Sequence, residues 1–271
     1  MTDLAKAALK HVQTKIQNFQ PRVGIILGSG LGGVIEGMDV VERVPYTECP
    51  GFFVSTVVGH KSEFVFGYLD GVSVVAMNGR VHLYEGASTA QVLAPVRLMR
   101  LLGCESLIVT GATGSLRKEV GPGSIVLLKD QINLSGVNVL VGPNDADYGP
   151  RFQGMENAYD PQFRKLARHT ADHLGIEVTE GVYMGLMGPT YETKVEVKMY
   201  AMFGGDVVGM SVVNDVIAAN HCGLKVLGLA LVTNFAAGLS DTLVNHQEVI
   251  DIANESGGKL AHLVRTILHK M

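Results

Sequence analysis

The chain has 271 residues, of which 47% are apolar and only 18% charged, and its formal net charge is −4. That length fits one large α/β domain or two small ones with a sizeable core. The weak charge, with no basic stripe, excludes a nucleic-acid or anionic-membrane surface, and no apolar run is long enough to span a bilayer.

Three cysteines, Cys49, Cys104 and Cys222, form no C-x-x-C pair, and no signal-peptide pattern opens the chain. The expectation is a reduced, cytoplasmic protein without disulfide or structural zinc.

Apolar residues recur at helical spacing over 3–18, with Asp3 near the start. Pro21–Leu27 reads as a buried strand running into Gly28-Ser-Gly-Leu-Gly-Gly33. This loop matches G-x-G-x-x-G, a weak signal alone. The dinucleotide reading needs a full helix and an acid roughly 20 residues on. Here Gly37, Asp39 and Glu42 arrive too soon. The better reading is a turn whose backbone N–H groups and Ser29 hydroxyl cradle a phosphate; a plain strand-to-helix turn is the alternative.

Residues 52–58 and 63–69 read as strands joined at Gly59-His60, and Asp70-Gly71 as a hairpin turn into Val72–Met77. In Asn78–Gly86, Arg80, His82 and Tyr84 alternate, so in an extended segment they share one face. Arg and His together make an anion clamp; the bland alternative is a solvated edge strand. A helix is expected over 89–102, with Thr89 as its cap. A buried strand, Ser106–Thr110, is expected to end in a small-residue turn, Gly111–Gly114. Gly121-Pro-Gly123 leads to a strand over Ser124–Lys129. Residues 136–160 are polar and loop-like but carry Tyr148, Phe152 and Tyr159, which suits a lid or an interface segment.

Residues 161–174 read as a helix and Val178–Met187 as a strand delivering Gly188-Pro-Thr-Tyr-Glu-Thr193. A helix follows over Thr193–Phe203, with Glu196 completing a capping box. After Asp206-Val-Val-Gly-Met-Ser211 come a helix, Val212–His221, and a strand, Leu224–Thr233, with Asn234 at its end. His246 opens the last helix. No internal repeat or linker interrupts the chain. The expectation is one α/β domain over 1–271, a mixed central β-sheet flanked by helices. Polar residues collect at the strand ends, where sites on rigid sheets form. Ser29, Arg80, His82 and Ser211 suit a phosphate; Glu192 and Asn234 suit the edge of a flat heterocycle. No Cys/His cluster has metal spacing.

With these residues in view, the chain resembles the trimeric purine nucleoside phosphorylases. The resemblance spans nearly the whole sequence. It rests on Gly28–Gly32, Gly59-His60, Gly79–Gly86, Gly188–Thr193, Gly209-Met-Ser211, Thr233-Asn234 and Asn245-His246, in that order and spacing. It implies phosphorolysis of inosine and guanosine, purine salvage, a homotrimer, and no cofactor beyond inorganic phosphate as co-substrate. It also implies roles. Ser29, Arg80, His82, the Ala112 N–H and Ser211 would hold phosphate, with His60 as a gate. Tyr84, Met210 and His246 would contact ribose. Glu192 and Asn234 would bind the purine, with Tyr191 against its face, and Phe152 would reach a neighbouring subunit's site.

The chain departs from the family pattern at Gly111 and Thr113, at Gln131 and at Asn214. Leu186 stands where a xanthosine-preferring branch carries Tyr. A xanthosine phosphorylase, a nucleoside hydrolase and a non-catalytic purine-binding protein are the alternatives. Glu85 reads as a structural partner for Arg80 or as a ribose-side group.

Overall fold

The computed structural model describes residues 3–57, 59–240 and 246–271, and of residues 246–248 the backbone alone. Nine strands are β1 (Val23–Ile26), β2 (Asp39–Pro45), β3 (Glu63–Leu69), β4 (Val72–Asn78), β5 (Ser106–Ser115), β6 (Ile125–Asn133), β7 (Val178–Gly185), β8 (Val207–Gly209) and β9 (Lys225–Phe235). The α-helices among the described residues are α1 (Leu4–Ile16), α2 (Thr89–Leu101), α3 (Pro161–Leu174), α4 (Lys194–Met202), α5 (Val213–His221) and α6 (His246–Leu268).

The strands form one mixed sheet in the order β2-β3-β4-β1-β5-β8-β7-β6-β9. β9 also pairs in parallel with β5, so β5, β8, β7, β6 and β9 close into a ring. The remaining strands, β1 to β4, extend from that ring as an open sheet. β5 is the shared element. It pairs with β1 on one side and with β9 on the other over Ser106–Val109. A strand covered on both faces sheds its polar alternation: Leu107 and Val109 face one core and Ile108 the other, all without exposed surface.

Helices cover both faces. α1, α2 and α5 bury Ala8, Val12, Val96, Leu98, Val216 and Ala219 in one core. α3 and α6 bury Ala167, Ala171, Leu260 and Val264 in the other. Their ends follow local chemistry. The Asp3 carboxylate accepts from the Ala5 and Lys6 N–H groups at the start of α1. Asp160 does the same for α3, and Gly175 ends it in the left-handed conformation. Thr193 and Glu196 form the expected capping box on α4.

Four expectations need correction. Residues 52–57 are not a strand, and residue 58 lies outside the described residues. The partner of β3 is instead β2, whose charged stretch Asp39-Val-Val-Glu-Arg43 hid its alternation. The cap of α2 is Ser88, which accepts from the Gln91 N–H, not Thr89. Gly111–Gly114 is not a turn but the end of β5, carried on by pairing with β9. The backbone does not stay extended through Tyr84: Leu83–Glu85 is a single 3₁₀ turn.

The segment 136–160 contains neither helix nor strand, yet it is anchored. Val139, Tyr148 and Tyr159 are buried, the Arg97 guanidinium lies 4.4 Å from the centre of the Tyr148 ring, and the Tyr159 hydroxyl donates to Gln131 Oε1 at 2.9 Å. Gly228 on β9 makes room for the Tyr159 ring, which a Cβ there would strike. Gly228→Ala is therefore expected to lower unfolding free energy by about 1–3 kcal/mol, the scale of an overpacked core. Urea denaturation checks this: the midpoint should fall with an unchanged m-value.

Candidate active site

The site begins with a buried threonine. Thr110, on β5, donates its hydroxyl to the Ile26 carbonyl at 2.9 Å and accepts from the Gly28 N–H at 3.0 Å. It therefore clips the glycine loop onto the end of β5. A Cβ at Gly28 would lie 2.9 Å from Gly111 Cα, so glycine is needed there for close backbone approach. The Thr110 carbonyl accepts from Arg80 Nη2 at 2.6 Å.

Arg80 is 1% exposed. Its Nε lies 3.4 Å from Asp215 Oδ2 on α5, an ion-pair distance without hydrogen-bond geometry. Its Nη1 has no hydrogen-bond partner. A Cβ placed on Gly111 would lie 3.7 Å from Arg80 Nη1 and 3.8 Å from Ser211 Oγ. That position is closed by Val212 Cγ2, which the same Cβ would strike at 2.9 Å, and both Arg80 and Ser211 line the adjoining cavity. Ser211 is seated by Tyr183, whose fully buried hydroxyl accepts from the Ser211 N–H at 3.3 Å.

The two histidines stack, His60 on His82 at 5.4 Å and His82 on Tyr84 at 4.7 Å between ring centres. His60 Nδ1 lies 3.1 Å from the Arg80 carbonyl, which can only accept, so Nδ1 carries the proton. Nε2 then accepts from the Ser29 hydroxyl at 3.3 Å. Burial, then the nearby His82, push the His60 pKa down to about 4. Burial likewise lowers that of His82, against the pull of Glu85. His82 Nδ1 pairs with Glu85 Oε1 at 2.9 Å. Glu85 also accepts from Ser55 and Thr56. Burial alone would raise the Glu85 pKa, but these hydrogen bonds, led by that from His82, hold it at about 2. Glu85 is thus a structural partner, but of His82 rather than Arg80.

Across the cavity lies a second set of groups. The β5–β9 register slips between Thr113 and Gly114, leaving Thr233 unpaired and setting Asn234 opposite Gly114. Such a bulge re-aims a side chain. Gly114 leaves room for it, since a Cβ there would sit 3.2 Å from Asn234 Nδ2. The Thr233 hydroxyl lies 3.0 Å from Asn234 Oδ1 and holds that amide. Glu192 and the 44%-exposed Tyr191 project from the turn after β7. Burial, with Glu196 nearby, raises the Glu192 pKa.

One cavity of about 430 Å³ is lined by Ser29, Arg80, His82, Tyr84, Ala112, Tyr191, Glu192, Met210, Ser211 and Asn234. The structure therefore brings together ten of the thirteen residues singled out in the sequence. His60 stands behind Ser29, beside a smaller cavity under the glycine loop. Phe152 is 88% exposed and does not line this chain's cavity. His246 begins α6, and its side chain lies outside the described residues.

Four site residues are given no site role in the sequence reading: Thr110, Tyr183, Thr233 and Asp215. Only Asp215 left a signal, a lone acid in the apolar run Val212–Ala219. Thr113, a departure from the family pattern, donates its hydroxyl to the Leu231 carbonyl at 3.3 Å and so presents no free donor. Gln131 serves Tyr159, and Asn214 Oδ1 is buried without a partner. Among the described residues no group of acids, histidines and cysteines has metal-binding geometry, all three cysteines are free, and no helix is long and apolar enough to cross a membrane.

A buried cation and hydroxyl groups facing a half-buried amide and carboxylate across one cleft, on an α/β sheet closed into a ring, have the chemistry to hold an anion beside a polar heterocycle. The comparisons agree. Residues 22–269 match the model of the Phosphorylase superfamily. Purine nucleoside phosphorylase 1 of Geobacillus stearothermophilus is 44% identical over 251 residues, covering 93% of this chain and 92% of that one. Isoform 2 of the Schistosoma mansoni purine nucleoside phosphorylase, solved with cytosine and ribose-1-phosphate, superposes with a TM-score of 0.93 at 39% identity, covering 99% and 96% of the two chains. A second Schistosoma mansoni structure, in complex with inosine, gives 0.91 at 39% identity, covering 98% and 96%. The chain belongs to the phosphorylase superfamily and, within it, to the purine nucleoside phosphorylases.

The lowered His60 pKa carries a pH dependence. Between about 6.5 and about 4 an unfolded chain protonates this histidine while the native fold keeps it neutral. Protons then favour the unfolded state, so stability present above about 6.5 is lost as pH falls towards 4. Denaturation midpoints across this range should fall on acidification, and His60→Gln should flatten part of that slope.

Proposed function

We propose that the chain catalyses phosphorolysis of 6-oxopurine ribonucleosides and deoxyribonucleosides, giving the free base and α-(deoxy)ribose 1-phosphate. The observation that carries this reading is the buried Arg80, its Nη1 unpartnered, lining one cavity with Ser211, opposite Asn234 and Glu192. A hydrolase has no use for such a cradle, because water brings no charge to hold.

In this reading phosphate takes donors from Ser29, Arg80, His82, the Ala112 N–H and Ser211. The ribose lies between Tyr84 and Met210, with His246 at its 5′-hydroxyl. Breaking the glycosidic bond develops positive charge on the sugar and negative charge on the base. Phosphate stabilises the first and attacks the anomeric carbon with inversion. The Asn234 amide, already fixed by Thr233, donates to the second, and that bond strengthens as charge moves onto the purine. The raised Glu192 pKa suits a carboxylate that waits for a donor: the N1–H of a 6-oxopurine supplies one, and adenine does not. No cofactor beyond phosphate is needed.

The same reading includes a homotrimer in the cytoplasm. Phe152, an 88%-exposed ring on an anchored segment, then completes the cavity mouth of a neighbouring copy beside the half-exposed Tyr191.

Ultraviolet absorbance of inosine and guanosine, with and without phosphate, tests the proposal. Cleavage is expected only with phosphate, and equal cleavage without it would establish a hydrolase. Adenosine should trail by about 10⁴, the scale of a buried polar mismatch. Asn234→Ala should lower kcat/KM for inosine by about 10²–10³, as for loss of one oxyanion-type donor.

A further inference from the structure

Arg80 is a planar fork buried away from water, and its direction decides whether it can serve an anion. One contact does not fix a plane. The Thr110 carbonyl holds Nη2 at 2.6 Å, which leaves the guanidinium free to turn about that point. The second constraint comes from Asp215, whose Oδ2 faces Arg80 Nε at 3.4 Å. Both side chains are buried, at 1% and 6% exposure. Neither Arg80 Nε nor Asp215 Oδ2 has a hydrogen-bond partner, so each is the group the other still lacks. The other acid near the cradle, Glu85, is already committed to His82, Ser55 and Thr56. Among the described residues Asp215 is the one acid in ion-pair contact with Arg80.

Asp215 lies in the first turn of α5, and the segment that presents the Ser211 hydroxyl runs directly into that helix.

We propose that Asp215 is a positioning residue of the anion site: with Thr110 it fixes the plane of the Arg80 guanidinium, leaving Nη1 to face phosphate. The proposal rests on the reading of Arg80 as a phosphate ligand. Asp215 touches neither substrate. Its effect is transmitted through Arg80, as outer-shell partners of a ligating side chain act.

The test uses the full-length enzyme, with phosphate and inosine varied separately. Asp215→Asn keeps the shape and removes the charge. It is expected to raise the phosphate KM by about 10–100-fold, the scale of losing an outer-shell partner, with the inosine KM nearly unchanged. Asp215→Glu keeps the charge but moves it, and should give an intermediate phosphate KM. Removing one partner of a buried pair can prevent folding. If the Asn variant fails to fold, a selective rise in the Glu variant supports the proposal, and a wild-type value or equal losses for both substrates overturns it. A further measurement needs no variant. In ¹⁵N-arginine-labelled wild-type enzyme, an Arg Nε–H signal protected from water without phosphate is expected, and exchange as fast as that of surface arginines overturns the idea. Phosphate-independent cleavage by the wild type would remove the phosphorolysis reading itself, whereas a phosphate-dependent wild type with indifferent Asp215 variants would remove only this one.

Discussion

A buried guanidinium needs partners for its N–H groups, and the centre of this protein meets those of Arg80 only in part. Thr110 is the main device. Its hydroxyl bridges the Ile26 carbonyl and the Gly28 N–H, and its carbonyl takes Arg80 Nη2. One residue thereby sets the strand end, the glycine loop and the depth of the cation. Arg80 thus places a positive charge in a dry part of the protein, with Nε facing Asp215 and Nη1 left without a hydrogen-bond partner.

The second half of the site follows from a backbone irregularity. A regular β5–β9 ladder would continue the alternation past Thr233. The bulge there shifts Asn234 by one place and sets it against Gly114, the position with room for an amide. Thr233 and Asn234 share one hydrogen bond, so the amide is oriented before any ligand arrives, which is the condition under which such a donor accelerates a reaction. The ring closure supplies the rigidity: β5 and β9 are held by their own pairing and, the other way round, through β8, β7 and β6.

Most of this was legible in the chain. Helix positions followed from apolar spacing and caps, and nearly every pocket residue stood where a buried run meets a small or polar turn. What escaped did so for physical reasons. β2 escaped because a sheet edge tolerates charge, so Asp39-Val-Val-Glu-Arg43 shows no clean alternation. Gly111–Gly114 looked like a turn because local propensity disfavours a glycine-rich strand; pairing with β9, more than a hundred residues away, overrides it. Thr110, Tyr183 and Thr233 look like ordinary core residues, since a hydroxyl that serves the backbone leaves no pattern. Asp215 was visible as a lone acid among apolar neighbours, but its partner was 135 positions away and no local rule connects them.

That distance has a consequence for how the molecule is made. Ser29, Arg80, Ser211 and Asn234 come from four widely separated parts of the chain: Ser29 and Arg80 follow the paired strands β1 and β4, whereas Ser211 and Asn234 join them only when β8 and β9 have docked against β5. A nascent or partly opened chain therefore has half a cradle and no affinity for a ligand that needs all four. A ligand that binds only the closed ring stabilises it by mass action and leaves open forms untouched. Abundance of such a ligand in the cell then acts as quality control, prolonging the life of chains that have finished folding and leaving incomplete ones to proteolysis.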